Sequence, residues 1–148
     1  MADTLFAAMR ISASGMSAQR ARMDIVAENI ANAESTRTPD GGPYRRREIV
    51  FQAVPERQGF DDVFRSSFQG DGAHEVRVAG VVKDPRPFRE VYNPSHPDAD
   101  ANGMVKMPNV NTIEEMVDMQ SAARSFEANV TVMEAAKRMF LKSLDLLR

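Results

Sequence analysis

One stretch of acidic and amide side chains has the spacing of a calcium-binding loop. Asp98, Asp100 and Asn102 alternate along the chain and precede Gly103, which matches the first six positions of an EF-hand loop. The twelfth position of such a loop is a glutamate that binds calcium through both oxygens, and here it is Asn109. Prolines on either side leave no room for the two flanking helices. We therefore favour a turn, in which Asp and Asn side chains bond to nearby backbone groups.

The two histidines, His74 and His96, are the remaining candidates for acid–base chemistry. Neither lies beside a pattern that marks a nucleophile, so solvated loop histidines are the favoured interpretation. The chain has no cysteine, which excludes disulfides, thiolate ligands and cysteine nucleophiles. No Gly-rich phosphate loop and no nucleophile-elbow motif occurs either. We therefore predict a protein that is not an enzyme and has no catalytic residue, metal site, cofactor or small-molecule substrate.

The charge balance argues against nucleic-acid binding, because a net charge of -2 leaves no basic surplus to neutralise phosphates. The basic run Arg45-Arg46-Arg47 is expected to form a solvated face of a strand. The N-terminus lacks the basic and apolar regions of a secretory signal, and no apolar run approaches the roughly 20 residues that span a bilayer. These rules predict no membrane insertion and a cytosolic chain, but they do not describe uncleaved export segments.

Glycine and proline divide the chain into three segments. All eight prolines lie between Pro39 and Pro108, and seven of the eight glycines lie in the same stretch. Because both residues break helices, this segregation predicts a helix, then a middle of strands and loops, then a second helix. We place the three segments at 1–35, 36–110 and 111–148.

Both terminal segments carry apolar residues at heptad spacing, which predicts amphipathic helices. Ser12 and Gln19 interrupt one column of the first segment, and Lys137 interrupts one column of the last. From periodicity alone, these columns fit a hairpin within one molecule and packing between molecules equally well. The predicted seam residues are Leu5, Met9, Met16, Met23, Val26, Ile30, Met116, Met119, Phe126, Val130, Met133, Phe140, Leu144 and Leu147.

Capping signals set the expected bounds of the two helices at 3–32 and 111–147. Asn29 and Asn32 are expected to stop the first helix, because asparagine tolerates the left-handed backbone conformation of a C-cap. Thr112 is followed three residues later by a glutamate, which is the pattern of a capping box at the start of the second helix.

The middle segment contains three candidate strands, at 44–54, 75–82 and 88–92. Their alternating apolar and polar residues predict a small antiparallel sheet. The stretch 58–72 has no clear pattern. The fold class is therefore α+β, with one long helix at each end.

The end of the first helix resembles the N-terminal signature of flagellar rod and hook proteins. The resemblance covers 14–19 and then the motif residues Asn29, Ile30, Ala31, Asn32, Ser35 and Thr36. Within that group, two later stretches are most similar to proximal rod proteins, namely 92–103 and 107–111, the second running into 114–118. Chain length also favours a rod component, since hook-type chains are much longer.

The resemblance implies an elongated structural subunit whose terminal helices pack as a coiled-coil-like pair in the inner layer of a helical tube. It implies export through the flagellar type III apparatus by an uncleaved N-terminal region. It further implies assembly in the periplasm into the basal-body rod, the drive shaft that transmits torque from the membrane ring to the hook. The implied partners are other copies of the chain, other rod proteins and the export apparatus, and the middle segment would contact neighbouring subunits.

Two long helices with half-exposed apolar faces make a marginal monomer, so folding is expected to be coupled to assembly. Open helical assembly needs heterologous contacts, in which different patches of the subunit meet. The alternative from another class is a cytosolic helical adaptor or chaperone-like binding module. That protein would be a stable monomer or dimer with protected terminal helices.

Overall fold

The computed structural model describes residues 2–39, 41–55 and 74–145. In that part of the chain, one long helix precedes and another follows four strands, as the segregation of glycine and proline predicts. The elements are α1 (Ala2–Ala31), β1 (Arg47–Pro55), β2 (His74–Lys83), β3 (Arg89–Tyr92), β4 (Met104–Met107) and α2 (Thr112–Asp145). The predicted α+β class is confirmed, and the patternless stretch 58–72 lies outside the described residues. Neither helix has a segment apolar enough over 18 residues to cross a membrane.

The strands form two separate two-stranded sheets. β1 pairs with β2, and the backbone N–H of Asp84 donates to the carbonyl of Arg46 at 2.8 Å. That bond brings the start of β1 beside the end of β2, as in an antiparallel pair. β3 pairs antiparallel with β4, with Arg89 opposite Met107 and Tyr92 opposite Met104. β4 was not predicted, because its four residues lie between a glycine turn and a proline and show no alternation.

The described residues fall into two compact units. The first unit draws on 1–21, 51–79 and 123–148, and the second on 22–50 and 80–122. Each helix contributes one part to each unit.

In the first unit, α1 and α2 run antiparallel and lie close together. The rings of Phe6 and Phe140 have centroids 5.5 Å apart. Further along, a Cβ added at Gly15 would lie 2.9 Å from Nδ2 of Asn129, so only glycine fits there without a shift of that side chain. The hydroxyl of Ser14 accepts a hydrogen bond from the backbone N–H of Val76 in β2, at 3.1 Å, which attaches the strand to the helix.

The second unit has a small apolar core in which Ala33, Tyr44 and Val110 cluster. Two of the largest fully buried side chains of the described chain are nevertheless polar, namely Glu115 and Asn29. Buried polar groups are stable only when they are hydrogen-bonded, and buried charges only when they are paired. The interior of this unit therefore requires a connected set of polar partners.

The first helix ends at Ala31, one residue before the expected end, but by a different mechanism. The backbone N–H and the side-chain amide of Asn32 both donate to the carbonyl of Glu28, at 3.1 and 2.9 Å. No non-glycine residue in the described chain has a positive φ, so the predicted left-handed C-cap is wrong. Asn29 does not stop the helix either, because it lies within α1 and its side chain is buried.

The second helix begins at Thr112, but the predicted capping box is wrong. Oδ1 of Asn111 accepts the N–H of Ile113 at 3.1 Å, so Asn111 is the N-cap. The carboxylate of Glu115 points into the second unit instead of returning to the helix start.

Candidate functional site

The predicted seam residues of the first unit flank the line of closest helix contact. The most buried side chains of α1 and α2 there are small ones, such as Ser12, Ala18 and Ala136. The seam residues beside them are half-buried: Leu5, Met9, Met16, Phe126, Val130, Met133 and Phe140. Leu144 is exposed, and Leu147 lies outside the described residues.

In the second unit, Val26 is buried, and Met23, Ile30 and Met119 are half-buried. The seam residue Met116 is different, because 59% of it is exposed.

Helix α2 has an exposed apolar patch around Met116. Ile113 is 72% exposed and Val117 is 62% exposed. Residues at i, i+3 and i+4 lie side by side on a helix, so these three side chains form one surface, the α2 patch. The α2 patch faces away from Glu115 and Ala122, which are fully buried.

Asn29 is the centre of a buried network that joins α1, α2 and the start of β1. Its side-chain amide donates to the carbonyl of Arg47 at 2.9 Å and to Oε2 of Glu115 at 2.8 Å. Its Oδ1 accepts the N–H of Arg47 at 2.9 Å and the hydroxyl of Tyr44 at 3.0 Å. Both donors and both acceptor positions of the amide are therefore used. The side chain of Asn29 therefore bonds to both the N–H and the carbonyl of the Arg47 backbone.

Glu115 and Arg46 form the ionic part of this network. Glu115 is 0% exposed, and its Oε1 accepts a hydrogen bond from Nε of Arg46 at 2.6 Å. The Arg46 side chain is 12% exposed and also lies 3.5 Å from Asp84. Burial lowers the pKa of Arg46, but the hydrogen bond and charge of Glu115 outweigh it, so the net pKa is raised. Together, Asn29, Tyr44, Arg46 and Glu115 are the buried network.

Burial also raises the pKa of the Tyr44 phenol, and the negative charges of Glu28 and Glu115 raise it further. The phenol therefore stays protonated and donates its hydrogen bond to Asn29 throughout the neutral pH range.

The basic run at 45–47 is not a solvated face, so that prediction is wrong. Arg46 belongs to the buried network, and Arg47 pairs with Glu28 at 2.8 Å. The guanidinium of Arg45 lies 4.3 Å from the ring centroid of Phe88 and donates to the carbonyl of Asp84 at 2.9 Å. Charged runs usually face water, and here partners distant in the sequence, on both helices and after β2, bury the three arginines in part.

The loop after β2 is attached to the same region. Asp84 is buried and binds Arg86 through both carboxylate oxygens, at 2.9 Å to the backbone N–H and 2.8 Å to Nε. The hydrogen bond from Arg86 lowers the pKa of Asp84. Oδ1 of Asn109 accepts the N–H of Arg46 at 2.9 Å, so the segment before α2 also contacts the start of β1.

The motif residues beyond the helix make a second connection. The hydroxyl of Ser35 donates to Oδ1 of Asn32 at 3.2 Å. The hydroxyl of Thr36 donates to Oδ2 of Asp98 at 2.7 Å, and Arg37 pairs with the other oxygen at 2.5 Å. The Thr36 hydrogen bond is the main reason that the pKa of Asp98 is lowered. Of the remaining motif residues, Ile30 is half-buried and Ala31 is exposed.

The stretch that resembles a calcium loop is a turn closed by its own side chains, as predicted. Oδ1 of Asp100 accepts the N–H groups of Asn102 and Met104, each at 2.9 Å. Gly103 has a φ of 74°, the left-handed conformation that such a turn requires. The carboxylate of Asp98 is occupied by Thr36 and Arg37.

The buried network is not among the predicted features, although the sequence contains one signal of it. Glu115, Ala122 and Ala136 share one face of α2 at multiples of seven residues, and all three are buried. A charged residue in line with small ones at heptad spacing indicates close helix contact with one polar interruption. The partners Tyr44 and Arg46 have no such signal, because their positions follow from the path of the chain between the helices.

Comparisons with known proteins assign this architecture to a family. Residues 9–37 match the family model described as "Flagella basal body rod protein", and residues 101–146 match "Flagellar basal body rod FlgEFG protein C-terminal". The chain is 43% identical over 149 residues to the flagellar basal-body rod protein FlgC of Borreliella burgdorferi, covering 97% of this chain and 98% of that protein. The chain belongs to the FlgC family of flagellar basal-body rod proteins.

Two further relatives have the same name. FlgC of Bacillus subtilis is 41% identical over 97% of this chain and 98% of its own length. FlgC of Salmonella typhimurium is 42% identical over 92% of each chain. These relatives are rod proteins, so the FlgC family supports a structural role in the basal body and gives no support to the adaptor or enzyme alternatives.

The two matches to rod-protein models contain both helical ends of the buried network. Asn29 lies within the first match, and Glu115 lies within the second. Tyr44 and Arg46, which connect them, lie between the two matched regions. The network therefore joins the two parts of the chain that match the rod-protein models.

Proposed function

We propose that this chain, as a structural subunit of the flagellar basal-body rod, is held there by contacts of α1 and α2 with neighbouring rod proteins, other copies of the chain included. The α2 patch carries this proposal. Its side chains are among the most exposed large apolar residues of the described chain. Burying one such side chain fully contributes about 1.5–3 kcal/mol, so three of them on one face favour association strongly.

The half-buried seam residues support the same proposal. Methionine and phenylalanine columns that flank the helix contact retain apolar surface after the two helices have packed together. Neighbouring subunits would cover that surface, so the seam residues belong to the assembly interface in addition to the helix pair. The terminal segments 1–35 and 111–148 are thus the assembly helices, and 36–110 is the region that faces the outer neighbours.

We further infer export through the flagellar type III apparatus before assembly in the periplasmic part of the basal body. A chain without cysteine can enter an oxidising compartment without forming disulfides. A subunit whose apolar surfaces are completed only by neighbours is easily unfolded for passage through a narrow channel.

Replacement of the α2 patch tests the assembly proposal. The double variant Ile113→Ser/Val117→Ser should complement a strain lacking the gene poorly, with loss of motility and of the protein from purified basal bodies. Its helical circular dichroism should match that of the unchanged protein, because both side chains are already exposed. The control variant Gln120→Ser/Arg124→Ser changes exposed polar residues of α2 and should retain motility. Normal motility of the Ile113→Ser/Val117→Ser variant would refute the role of this surface.

A further inference from the structure

The heptad columns of the two helices do not by themselves define how far α1 is shifted along α2. Consider a shift of seven residues that moves Phe126 to the position of Met119. This shift exchanges one apolar residue for another. The same shift moves Ala136 to the position of Asn129 opposite Gly15, where a smaller side chain fits as well. Repeating seams generally allow such alternative registers, and a single buried polar residue often excludes them.

The buried network does not repeat along the helices. The position of Glu115 would be taken by Ala122 after a shift in one direction and by Pro108 after a shift in the other. In either case the amide of Asn29, which is 1% exposed, would lose its partner at 2.8 Å on α2. An unsatisfied buried donor is costly, so only the observed register gives Asn29 its partner on α2.

The network also fixes the helices relative to the start of β1. Asn29 bonds to the backbone of Arg47, and Glu115 bonds to the side chain of Arg46. Arg47 is therefore bonded to α1, and the adjacent Arg46 is bonded to α2. A shift of α1 along α2 would have to break one of the two attachments.

We propose that Asn29, Arg46 and Glu115 are positioning residues that fix the axial register of α1 on α2 in the second unit. Buried ion pairs are weak contributors to stability, because the cost of removing two charges from water offsets most of their attraction. Their clearest known use is to specify one register over others. Glu115 is a completely buried carboxylate where two helices with heptad-spaced apolar residues meet, which is the setting in which a buried charge specifies the register.

The fixed register of α1 on α2 is a property of the isolated chain and can be tested without assembly. Its consequence for the rod rests on the proposed function, since the axial register decides which apolar surfaces of α1 and α2 reach a neighbour together. A subunit in a wrong register would present a mismatched surface.

The test measures distances between spin labels on the two helices. The chain has no cysteine, so pairs of introduced cysteines can be labelled without background. One pair is placed at exposed Asp24 and Glu114, and the other at exposed Ala31 and Gln120. Because the helices are antiparallel, the two labels of one pair are offset along the helix axis in one direction, and the two labels of the other pair are offset in the opposite direction. A shift of one heptad moves the helices by about 10 Å, so it lengthens one distance and shortens the other.

The decisive variant is Arg46→Met/Glu115→Leu, which removes both buried charges together. Asn29 keeps its bonds to Arg47 and Tyr44, and Asp84 keeps Arg86. The amide N–H that donated to Glu115 loses its acceptor in every register, so it no longer favours the observed one. We expect a folded protein with a second population whose two label distances change in opposite directions. The matched control is Arg22→Gln, which removes a half-exposed ion pair between the same helices, at 3.1 Å, and should keep a single population.

Three outcomes would overturn the proposal. A folded Arg46→Met/Glu115→Leu variant with the original pair of distances would show that the register is fixed elsewhere. An unfolded variant would assign the network to stability. A second population in Arg22→Gln would show that any polar contact between the helices suffices. The distances in the labelled monomer test the register whether or not the chain assembles. The motility of the α2 patch variant tests the proposed function separately.

Discussion

Glu115 is a carboxylate in the interior of the second unit, and its surroundings predict how a single substitution acts. In Glu115→Ala, Arg46 loses its partner at 2.6 Å, and the side-chain amide of Asn29 loses one acceptor. Breaking a buried pair in this way typically costs 3–5 kcal/mol. We expect a loss of about 3 kcal/mol in the free energy of unfolding, because Asp84 at 3.5 Å partly compensates Arg46. Urea unfolding followed by circular dichroism measures it.

The neighbouring Glu114→Ala is the control for this prediction. Glu114 is exposed in the same turn of α2, so its removal should change stability by no more than about 0.5 kcal/mol. Equal effects of the two substitutions would mean that Glu115 is solvated in the protein.

Asp98 connects its loop to the segment after α1 through its carboxylate, so this connection should be sensitive to acid. Its pKa is lowered by the Thr36 hydroxyl and then by Arg37, so the carboxylate stabilises the fold only while it is ionised. This contribution is fully present above the unfolded pKa of about 3.9 and is lost as the pH falls through the lower folded value. The stability difference between the unchanged protein and Asp98→Asn should therefore shrink as the pH falls from about 6 to about 3.

Urea midpoints of both proteins across this pH range measure the difference. A matched variant, Asp100→Asn, replaces another carboxylate of the same loop and retains the side-chain oxygen that accepts the two N–H groups of its turn, so it controls for the loss of one negative charge. A constant gap between Asp98→Asn and the unchanged protein would contradict the role of the Asp98 charge.

At the scale of elements, the contact of α1 with α2 in the first unit depends on Gly15. A leucine there would meet Asn129 and force the helices apart, and such overpacking costs about 1–3 kcal/mol. Since Asn129 is the side chain in the way, Asn129→Ala should recover part of the loss in the double variant. Thermal or urea unfolding of the four proteins of this cycle gives the coupling energy, expected at about 0.5–3 kcal/mol.

The control is Ala13→Leu, at an exposed position two residues away on the same helix. It should be tolerated, because Ala13 is exposed. Additive effects of the Gly15 and Asn129 substitutions would show that the two residues do not touch.

Both helices and three of the strands could be predicted, because their signals are local. Heptad columns mark the helices, alternation marks β1 to β3, and glycine and proline mark the limits. β4 has only four residues, and it forms because Met104–Met107 finds β3 as a partner. The bounds of the first helix and the start of the second are predicted within one residue, while the predicted end at 147 lies outside the described residues. Asn32 lies at the end of the first helix as predicted but acts through the carbonyl of Glu28, and Asn111 instead of Thr112 caps the second helix.

The buried network could not be predicted, because it depends on contacts far apart in the sequence. Asn29 resembles a helix stop and Arg46 resembles a surface residue when each is judged by its neighbours. The motif that contains Asn29 was recognised as a family resemblance, but its physical role appeared only with Glu115 and the start of β1 in place.

At the scale of the whole molecule, the two units should differ in local stability. The second unit contains the buried network and fully buried Val105 and Pro108, whereas the buried side chains of the first unit's helix parts are small. Amide hydrogen exchange of the dilute monomer should be slowest around Asn29, Val105 and Glu115. It should be faster in α1 before Ala21 and in α2 after Ala123, because the buried side chains of those parts are small.

Assembly should slow exchange most in these faster parts, if neighbours cover the seam residues. Uniformly strong protection along both helices of the monomer would contradict this expectation. It would indicate a self-contained hairpin, as in a stable adaptor.

The hydrogen bond between Asn29 and Glu115 also has a temporal consequence, because 86 residues separate its two ends. A chain that emerges from its N-terminus presents α1 and all four strands before the residue that completes the network. Until then Asn29 can bond to Tyr44 and Arg47 but has no partner on α2, and bringing residue 115 to it carries an entropic cost of loop closure. The buried network can therefore form only late, after residue 115 of 148 has emerged.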